Sequence, residues 1–250
     1  MKSVKDTEDK KNSSESVSAD KDRKLTAAEQ KRLDAFNATA DEMMKDGYAR
    51  KDLTLSVKKA NIVGPLLVLP FEVLFIGLFL LVYGITPLKD FINTMDARRY
   101  MWFMLSALMF IPCMPLHELI HGISWAPGAK NKMKDIEFGF IKELLTPYCC
   151  CRSPLSKGRY IFGSMMPMTV LGAVPCIFGV IFKNPYLMII GCLQLLGGAG
   201  DILITYTLLR YKTKDKNTVL LDHPTDCGLV VFEKVPKALH VSKKANNTAR

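Results

Sequence analysis

The sequence predicts an all-α polytopic membrane protein with about four transmembrane helices, a small cytoplasmic β-hairpin and a disordered N-terminal tail. Of the 250 residues, 49% are hydrophobic, and they are gathered into blocks that are each near the roughly 20 residues needed to span a bilayer. The net charge of +10 lies in the tails and in the loops between these blocks, where it indicates topology and contact with anionic lipid. Nucleic acid is not expected as a partner, because the basic residues are not interleaved with aromatic residues on one face.

The N-terminal region precedes the first apolar block. Residues 1–25 are polar and charged, so we expect them to be disordered, and they lack the apolar centre of a signal peptide. Thr26 and Glu29 match a capping box, which predicts a helix that continues to Lys45. We therefore expect residues 26–60 to form an amphipathic helix and a linker. The helix either docks on the protein or membrane surface or is simply solvated, and both interpretations stay open.

The predicted membrane domain, residues 61–210, contains four apolar blocks. They cover residues 62–85, 100–123, 160–182 and 186–209. Lys and Arg are abundant before the first block, between the second and third, and after the fourth, but they are sparse in the two other loops. Because positively charged loops stay in the cytoplasm, this alternation predicts an integral, multi-pass cell-membrane protein with four spans and both termini cytoplasmic.

Two short segments between the second and third blocks, Ile136–Ile141 and Leu144–Cys149, predict the β-hairpin. A free edge of this hairpin could hold a substrate as an added strand. Residues 211–250 are predicted to be a cytoplasmic tail with a polar turn at 222–226 and a short strand-like run at 229–232. The three consecutive cysteines at 149–151 do not form a disulfide framework, so we expect reduced or lipid-modified thiols whose role is open.

The second block ends in the pentad His117-Glu118-Leu119-Ile120-His121. Two histidines four residues apart lie on one face of a helix, where one Zn²⁺ can take a nitrogen from each. Glu118 is then placed to polarise a metal-bound water and carry its proton. The alternative is a chance match, but residues 101–116 carry no charge, and ionisable groups at the end of such an apolar helix are costly unless they are paired, ligated or solvated.

Asp201 is the best candidate for a third zinc ligand. It lies in the fourth block about eight residues before the cytoplasmic end, roughly 12 Å at 1.5 Å per residue, and His117 is predicted at a similar depth. Asp201 closes a run with three glycines that lets another backbone come close. The alternatives are a protonated Asp201 in a helix-packing motif, or Glu143 as the third ligand from the loop, where a solvated salt bridge is the more ordinary role.

Other ionisable residues are weaker candidates. Glu72 lies within the first block and is either a partner of a ligating histidine or a protonated packing residue. His223 lies in the predicted tail, where a surface histidine is the ordinary interpretation. A transporter that uses Glu72 and Asp201 as relay acids is a third functional class, but four spans without an internal repeat are few for one.

The segments PLHELIHGISW, FGF, PYCCC, SPL, GAGD and DHPTDCG together resemble the zincin peptidase family of bacterial membrane proteins, which is allied to the site-2-protease type of intramembrane metalloprotease. The resemblance covers roughly residues 55–235. It implies zinc ligands at His117, His121 and Asp201 and a catalytic Glu118. Site-2 proteases place the ligand in an Asp-Gly pair preceded by Asn-Pro, whereas Ile202 follows Asp201 here, and Gln194 is the candidate substitute for the missing Asn.

The sequence therefore predicts a membrane-embedded zinc metalloprotease that hydrolyses a peptide bond of a membrane-associated protein or peptide near the cytoplasmic face. In this hypothesis Glu118 acts as general base and then as general acid. The leading alternative is a non-proteolytic, metal-binding membrane scaffold subunit that retains the motif. Neither the substrate, the native metal nor the oligomeric state follows from the sequence.

Overall fold

A computed structural model describes residues 26–94, 96–108, 110–141, 146–213, 215 and 217–234. The helices in chain order are α1 Ala27–Lys45, α2 Val57–Tyr83, α3 Thr86–Asn93, α4 Ala97–Leu108, α5 Phe110–Trp125, α6 Lys157–Pro167, α7 Val174–Ile181, α8 Pro185–Gly197 and α9 Ala199–Arg210. The strands are β1 Tyr48–Thr54, β2 Ile136–Ile141, β3 Thr146–Cys151, β4 Leu155–Ser156, β5 Val219–Asp222 and β6 Gly228–Lys234. Three predictions concern residues outside the described ones. They are the disordered segment 1–25, the part of the tail beyond residue 234 and the alternative ligand Glu143.

The fold is mostly helical, as predicted, and two helical segments are long and apolar enough to cross a membrane. They are Ala60–Tyr83 and the continuous run Lys157–Ile181, in which a π-helical turn joins α6 to α7. A third span is present if α8 and α9 are counted as one, although they meet at an angle of 54°. The predicted span 100–123 corresponds to α4 and α5, on either side of residue 109, which is not described. The described residues thus contain two or three candidate spans rather than a demonstrated four.

Helix α1 docks on the protein. The Thr26 hydroxyl accepts a hydrogen bond from the Glu29 N–H at 3.3 Å, and the Glu29 carboxylate accepts one from the Thr26 N–H at 2.8 Å. These two bonds form the predicted capping box and fix the start of the helix. Phe36 and Ala40 on the next turns are buried against Val230 and its neighbours in a small apolar core. Helix α1 is therefore docked on the protein and is not simply solvated.

A four-stranded antiparallel sheet with the order β1-β6-β5-β4 lies beneath α1. Its central strand β6 is buried from Leu229 to Phe232. One face of the sheet packs on α1, whereas the other contributes Leu220 and Leu229 to a core shared with α5, α6 and α9. Of this sheet the sequence predicts only the strand-like run at 229–232, which lies in β6. Residues 46–60 are predicted to be a linker, and the rest of the region after 210 a tail. Polar strand β1 has no apolar alternation of its own and owes its conformation to pairing with β6.

The predicted β-hairpin is present as β2 paired with β3, in a register that places Phe138 opposite Cys149. Its second strand is described from Thr146 to Cys151, and residues 144 and 145 of the expected segment are not among the described residues. The hairpin lies against α5 so closely that a Cβ atom at Gly122 would be 2.5 Å from the Phe138 ring. This packing brings β3 next to the helix that carries the pentad.

The fourth apolar block is bent where a straight span was expected. The glycines around residue 198 weaken the helix there, and the Gly198 N–H bonds to the carbonyl oxygens of Gln194 and Leu195 at 3.2 and 3.1 Å, which ends α8. Gly64 of α2 packs against the bend, because a Cβ atom at Gly64 would be 2.6 Å from the Ala199 carbonyl oxygen. The bend places Asp201 in the first turn of α9.

Candidate metal centre

Helix α5 presents both histidines of the pentad on one face. The ring centroids of His117 and His121 are 4.8 Å apart, as expected for side chains one turn apart. Both rings face Asp201, which reaches them from the first turn of α9. The Nε2 atom of His117 lies 3.0 Å from Asp201 Oδ2, and Nε2 of His121 lies 3.2 Å from Asp201 Oδ1. The structure thus brings together the three side chains that the predicted membrane depth placed at one level.

The three groups fit a metal ion. Each offers one ligand atom, and these atoms all lie within 4.8 Å of one another. In a tetrahedral zinc site with bonds of about 2.0–2.1 Å, ligand atoms are roughly 3.3 Å apart, which is close to the two nitrogen–oxygen distances seen here. Two imidazoles and one carboxylate are ligands that zinc commonly takes in proteins. Their role as ligands stays a prediction, which the geometry supports.

His121 is held on both sides of its ring. Its Nδ1 atom lies 2.9 Å from the Gly163 carbonyl oxygen, to which Nδ1–H donates, so the lone pair of Nε2 is directed at the centre. The Trp125 ring stacks on the imidazole at 4.9 Å with an interplanar angle of 12°. Trp125 Nε1–H in turn donates to the Tyr160 carbonyl oxygen at 3.0 Å. The side chain of His121 is only 4% exposed, compared with 14% for His117 and 21% for Asp201.

Glu118 lines the same cavity as the three candidate ligands, and this cavity measures about 280 Å³. Its carboxylate accepts a hydrogen bond from the backbone N–H of Cys149 on β3. A cavity of this volume has room for several water molecules. The carboxylate thus shares a water-sized cavity with the candidate ligands, as its predicted role of general base requires.

Two further residues of the site are missed by the sequence reasoning. Asp222, at the end of β5, and Tyr160 of α6 line the cavity, and the Tyr160 hydroxyl donates a hydrogen bond to the Asp222 carboxylate. Burial raises the pKa of Asp222, while the hydrogen bonds from Tyr160 and from the Cys151 N–H act in the opposite direction. The polar turn at 222–226, before the strand-like run at 229–232, was a signal for Asp222, but it pointed to a surface turn rather than to the cavity.

Residues 110–215 match the model of a family described as "Putative zincin peptidase". The match supports the zincin peptidase family for this segment of the chain. The resemblance seen in the sequence is confirmed to that extent, and the zincin peptidase segment contains the whole pentad and Asp201. No curated protein and no solved structure matches the chain.

Three other candidates from the sequence, Glu72, Gln194 and His223, do not line this cavity. The electrostatic neighbours of Glu72 are the thiols of Cys176 and Cys192, and neither Glu72 nor Gln194 lines the cavity. The Nδ1 atom of His223 accepts a hydrogen bond from the Asp226 N–H at 2.9 Å, which closes the polar turn. The geometry thus favours Glu72 as a packing residue and His223 as a structural one.

Proposed function

We propose that the protein is a membrane-embedded zinc metalloprotease of the site-2-protease type. It hydrolyses a peptide bond of a membrane-associated protein or peptide near the cytoplasmic face. The observation that carries this proposal is the convergence of His117, His121 and Asp201 in one cavity with Glu118. The zincin peptidase match over residues 110–215 supports it independently.

His117, His121 and Asp201 would hold the zinc ion, which supplies Lewis-acid activation of water and of the peptide carbonyl group. Glu118 takes the proton from the water as its oxygen attacks the carbonyl carbon. The same carboxyl group then delivers this proton to the amide nitrogen as the carbon–nitrogen bond breaks. The Cys149 N–H orients Glu118, and the Gly163 carbonyl group orients His121.

The proposed topology has four spans with both termini in the cytoplasm. The spans are α2, α4 with α5, the run from α6 to α7, and α8 with α9. Lys183, between the third and fourth spans, would face the outside, while the basic segments flanking the membrane domain would face the cytoplasm. The substrate would be a membrane protein or peptide that reaches the cavity from the bilayer or from its cytoplasmic surface.

The decisive experiment measures zinc per chain in detergent-purified protein. We expect about one zinc ion in the wild type, loss of that zinc in His121→Ala and Asp201→Ala, and retention in Glu143→Ala and Glu118→Gln. If wild-type protein binds no zinc, or if Asp201→Ala retains it fully, the proposed ligand set is wrong. If zinc is lost in Glu143→Ala but kept in Asp201→Ala, the third ligand is Glu143 in the loop.

Peptide hydrolysis is tested separately with Glu118→Gln, which keeps the ligands but removes the general base. We expect new protein N-termini in membranes from cells that produce the wild type and none above background with Glu118→Gln. Identical sets of N-termini, with zinc bound in both proteins, would favour the non-proteolytic metal-binding scaffold. If the protein is a transporter, its biological activity should instead be lost in Glu72→Gln and Asp201→Ala but kept in His121→Ala.

A further inference from the structure

Asp222 lies beyond the zincin peptidase segment, yet its carboxylate lines the same cavity as Glu118 and Asp201. It is the last residue of β5, a strand of the cytoplasmic sheet. Both carboxylate oxygens are engaged: Oδ1 accepts from the Tyr160 hydroxyl, and Oδ2 accepts from the Cys151 N–H at 2.9 Å. Asp222 therefore connects three elements that are far apart in the sequence, β5, β3 and α6.

The first connection leads to His121. Tyr160 receives the Trp125 indole N–H on its carbonyl oxygen, and the two rings lie 5.3 Å apart. Trp125 stacks on His121, and Gly163, less than one turn beyond Tyr160, accepts the His121 Nδ1–H. The hydrogen bond from Tyr160 to Asp222 thus anchors the outer end of the aromatic stack that sets the ring plane of His121.

The second connection leads to Glu118. Alternate residues of a strand direct their backbone N–H groups to the same edge. The N–H groups of Cys149 and Cys151 therefore both point away from β2. The Cys151 N–H is taken by Asp222, and the Cys149 N–H is taken by Glu118. Asp222 thereby holds β3 at the distance from which Cys149 orients the Glu118 carboxylate.

We propose that Asp222 is a positioning residue of the metal centre, which acts through the Tyr160 hydroxyl on His121 and through the Cys151 N–H on Glu118. The inference rests on the proposed function, since it assumes that a metal ion binds the cluster. It makes the cytoplasmic sheet a structural part of the site, because β5 is held in place by pairing with β4 and β6.

The test compares Asp222→Asn, Tyr160→Phe and the double variant with wild-type full-length protein. An asparagine at 222 keeps the shape but has one acceptor oxygen and no charge, so it cannot accept both hydrogen bonds. Either the Cys151 N–H meets an NH2 group, or the Tyr160 hydroxyl turns to accept instead of donating. Asp226→Asn is the matched control, because Asp226 lies in the same turn with its side chain 62% exposed. Zinc affinity is measured by competition with a chelator, and the visible absorption spectrum is recorded after cobalt substitution.

We expect Asp222→Asn and Tyr160→Phe each to weaken zinc binding about tenfold, the lower end of the effect of groups that orient metal ligands. The double variant should lose less than the product of the two effects, because both changes disturb the same hydrogen bond. The cobalt spectrum should change in both variants, since the plane of His121 alters the coordination geometry, whereas Asp226→Asn should match the wild type.

Zinc affinities within twofold of the wild type together with unchanged cobalt spectra would overturn the inference and leave the proposed function standing. A purely structural tie would lower the melting temperature without altering the spectrum, and this result would also overturn it. If Asp222→Asn does not fold, Tyr160→Phe decides alone. A wild-type protein that binds no zinc would overturn both the proposed function and the inference.

Discussion

At the scale of single residues, the centre depends on how precisely His121 is held. Its ring has a carbonyl group on one nitrogen, a carboxylate beside the other and an indole across its face. These contacts leave one orientation and one tautomer for the ring. Gly163 is essential to the arrangement, because a Cβ atom there would lie 2.0 Å from the Trp125 ring.

Gly163→Ala should disturb the centre. The added methyl group forces Trp125 or α6 to move, at a cost of about 1–3 kcal/mol in stability, and the support of His121 moves with it. We expect weaker zinc binding and a lower melting temperature. Gly158→Ala on the same helix is the control, because nothing lies within 4 Å of its added Cβ atom. Equal zinc affinities in the two variants would show that Trp125 does not set the His121 geometry.

The three consecutive cysteines should be poorly reactive in the folded protein. Burial raises the pKa of Cys149, of Cys150 and, to about 12, of Cys151, so little thiolate forms at pH 8. Alkylation followed by mass spectrometry should modify exposed Cys227 first and reach residues 149–151 only after denaturation. Modification of the triplet as fast as Cys227 would contradict the packing of β3.

At the scale of elements, the bend between α8 and α9 decides where Asp201 lies. A straight helix would carry Asp201 along a single axis, whereas the 54° bend starts a new helix two residues before it. The glycines around residue 198 weaken the helix at the bend, and α2 can approach closely because it has no side chain at its own contact residue. Gly64 is the α2 residue at this contact.

Gly64→Ala should shift the start of α9 and thereby Asp201. Its Cβ atom would meet the Ala199 carbonyl oxygen at 2.6 Å, a backbone atom that cannot move without the helix. We expect weaker zinc binding, measured by chelator competition. Gly77→Ala in the same helix has no atom within 4 Å of the added methyl group and should bind zinc as the wild type does. If Gly64→Ala binds zinc as tightly as the wild type, the contact with α2 does not set the position of Asp201.

At the scale of the whole molecule, the helices with the candidate membrane spans and the four-stranded sheet share the candidate site. The cores on the two faces of the sheet connect α1 on one side with α5, α6 and α9 on the other. In the proposed topology, the basic segments and with them this sheet face the cytoplasm. The cavity would then meet both the bilayer and the aqueous phase.

Labelling with a membrane-impermeant thiol reagent tests this arrangement. Cys227, in the turn before β6, should be labelled only after the cells are permeabilised, because positive loops stay inside. A cysteine introduced by Lys183→Cys should be labelled in intact cells. Cys227→Ser provides the background signal. Labelling of Cys227 in intact cells would reverse the proposed orientation.

Features that depend on neighbouring residues follow from the sequence alone. The pentad predicts two rings on one face because helix periodicity is local, and the capping box and β-hairpin are local patterns as well. The matching depths of His117 and Asp201 also followed from span boundaries and helix rise alone. Each of these features is written within a few residues or within one apolar block.

Features that depend on distant partners arise only when the chain packs into its tertiary structure. Strand β1 exists because β6 pairs with it, the α8–α9 angle depends on contact with α2, and Asp222 reaches the cavity because the sheet docks beside α5 and α6. A polar segment such as β1 carries no periodic signal, and a polar turn does not show which neighbour will accept its carboxylate. Long-range packing selects among conformations that local patterns leave equally available.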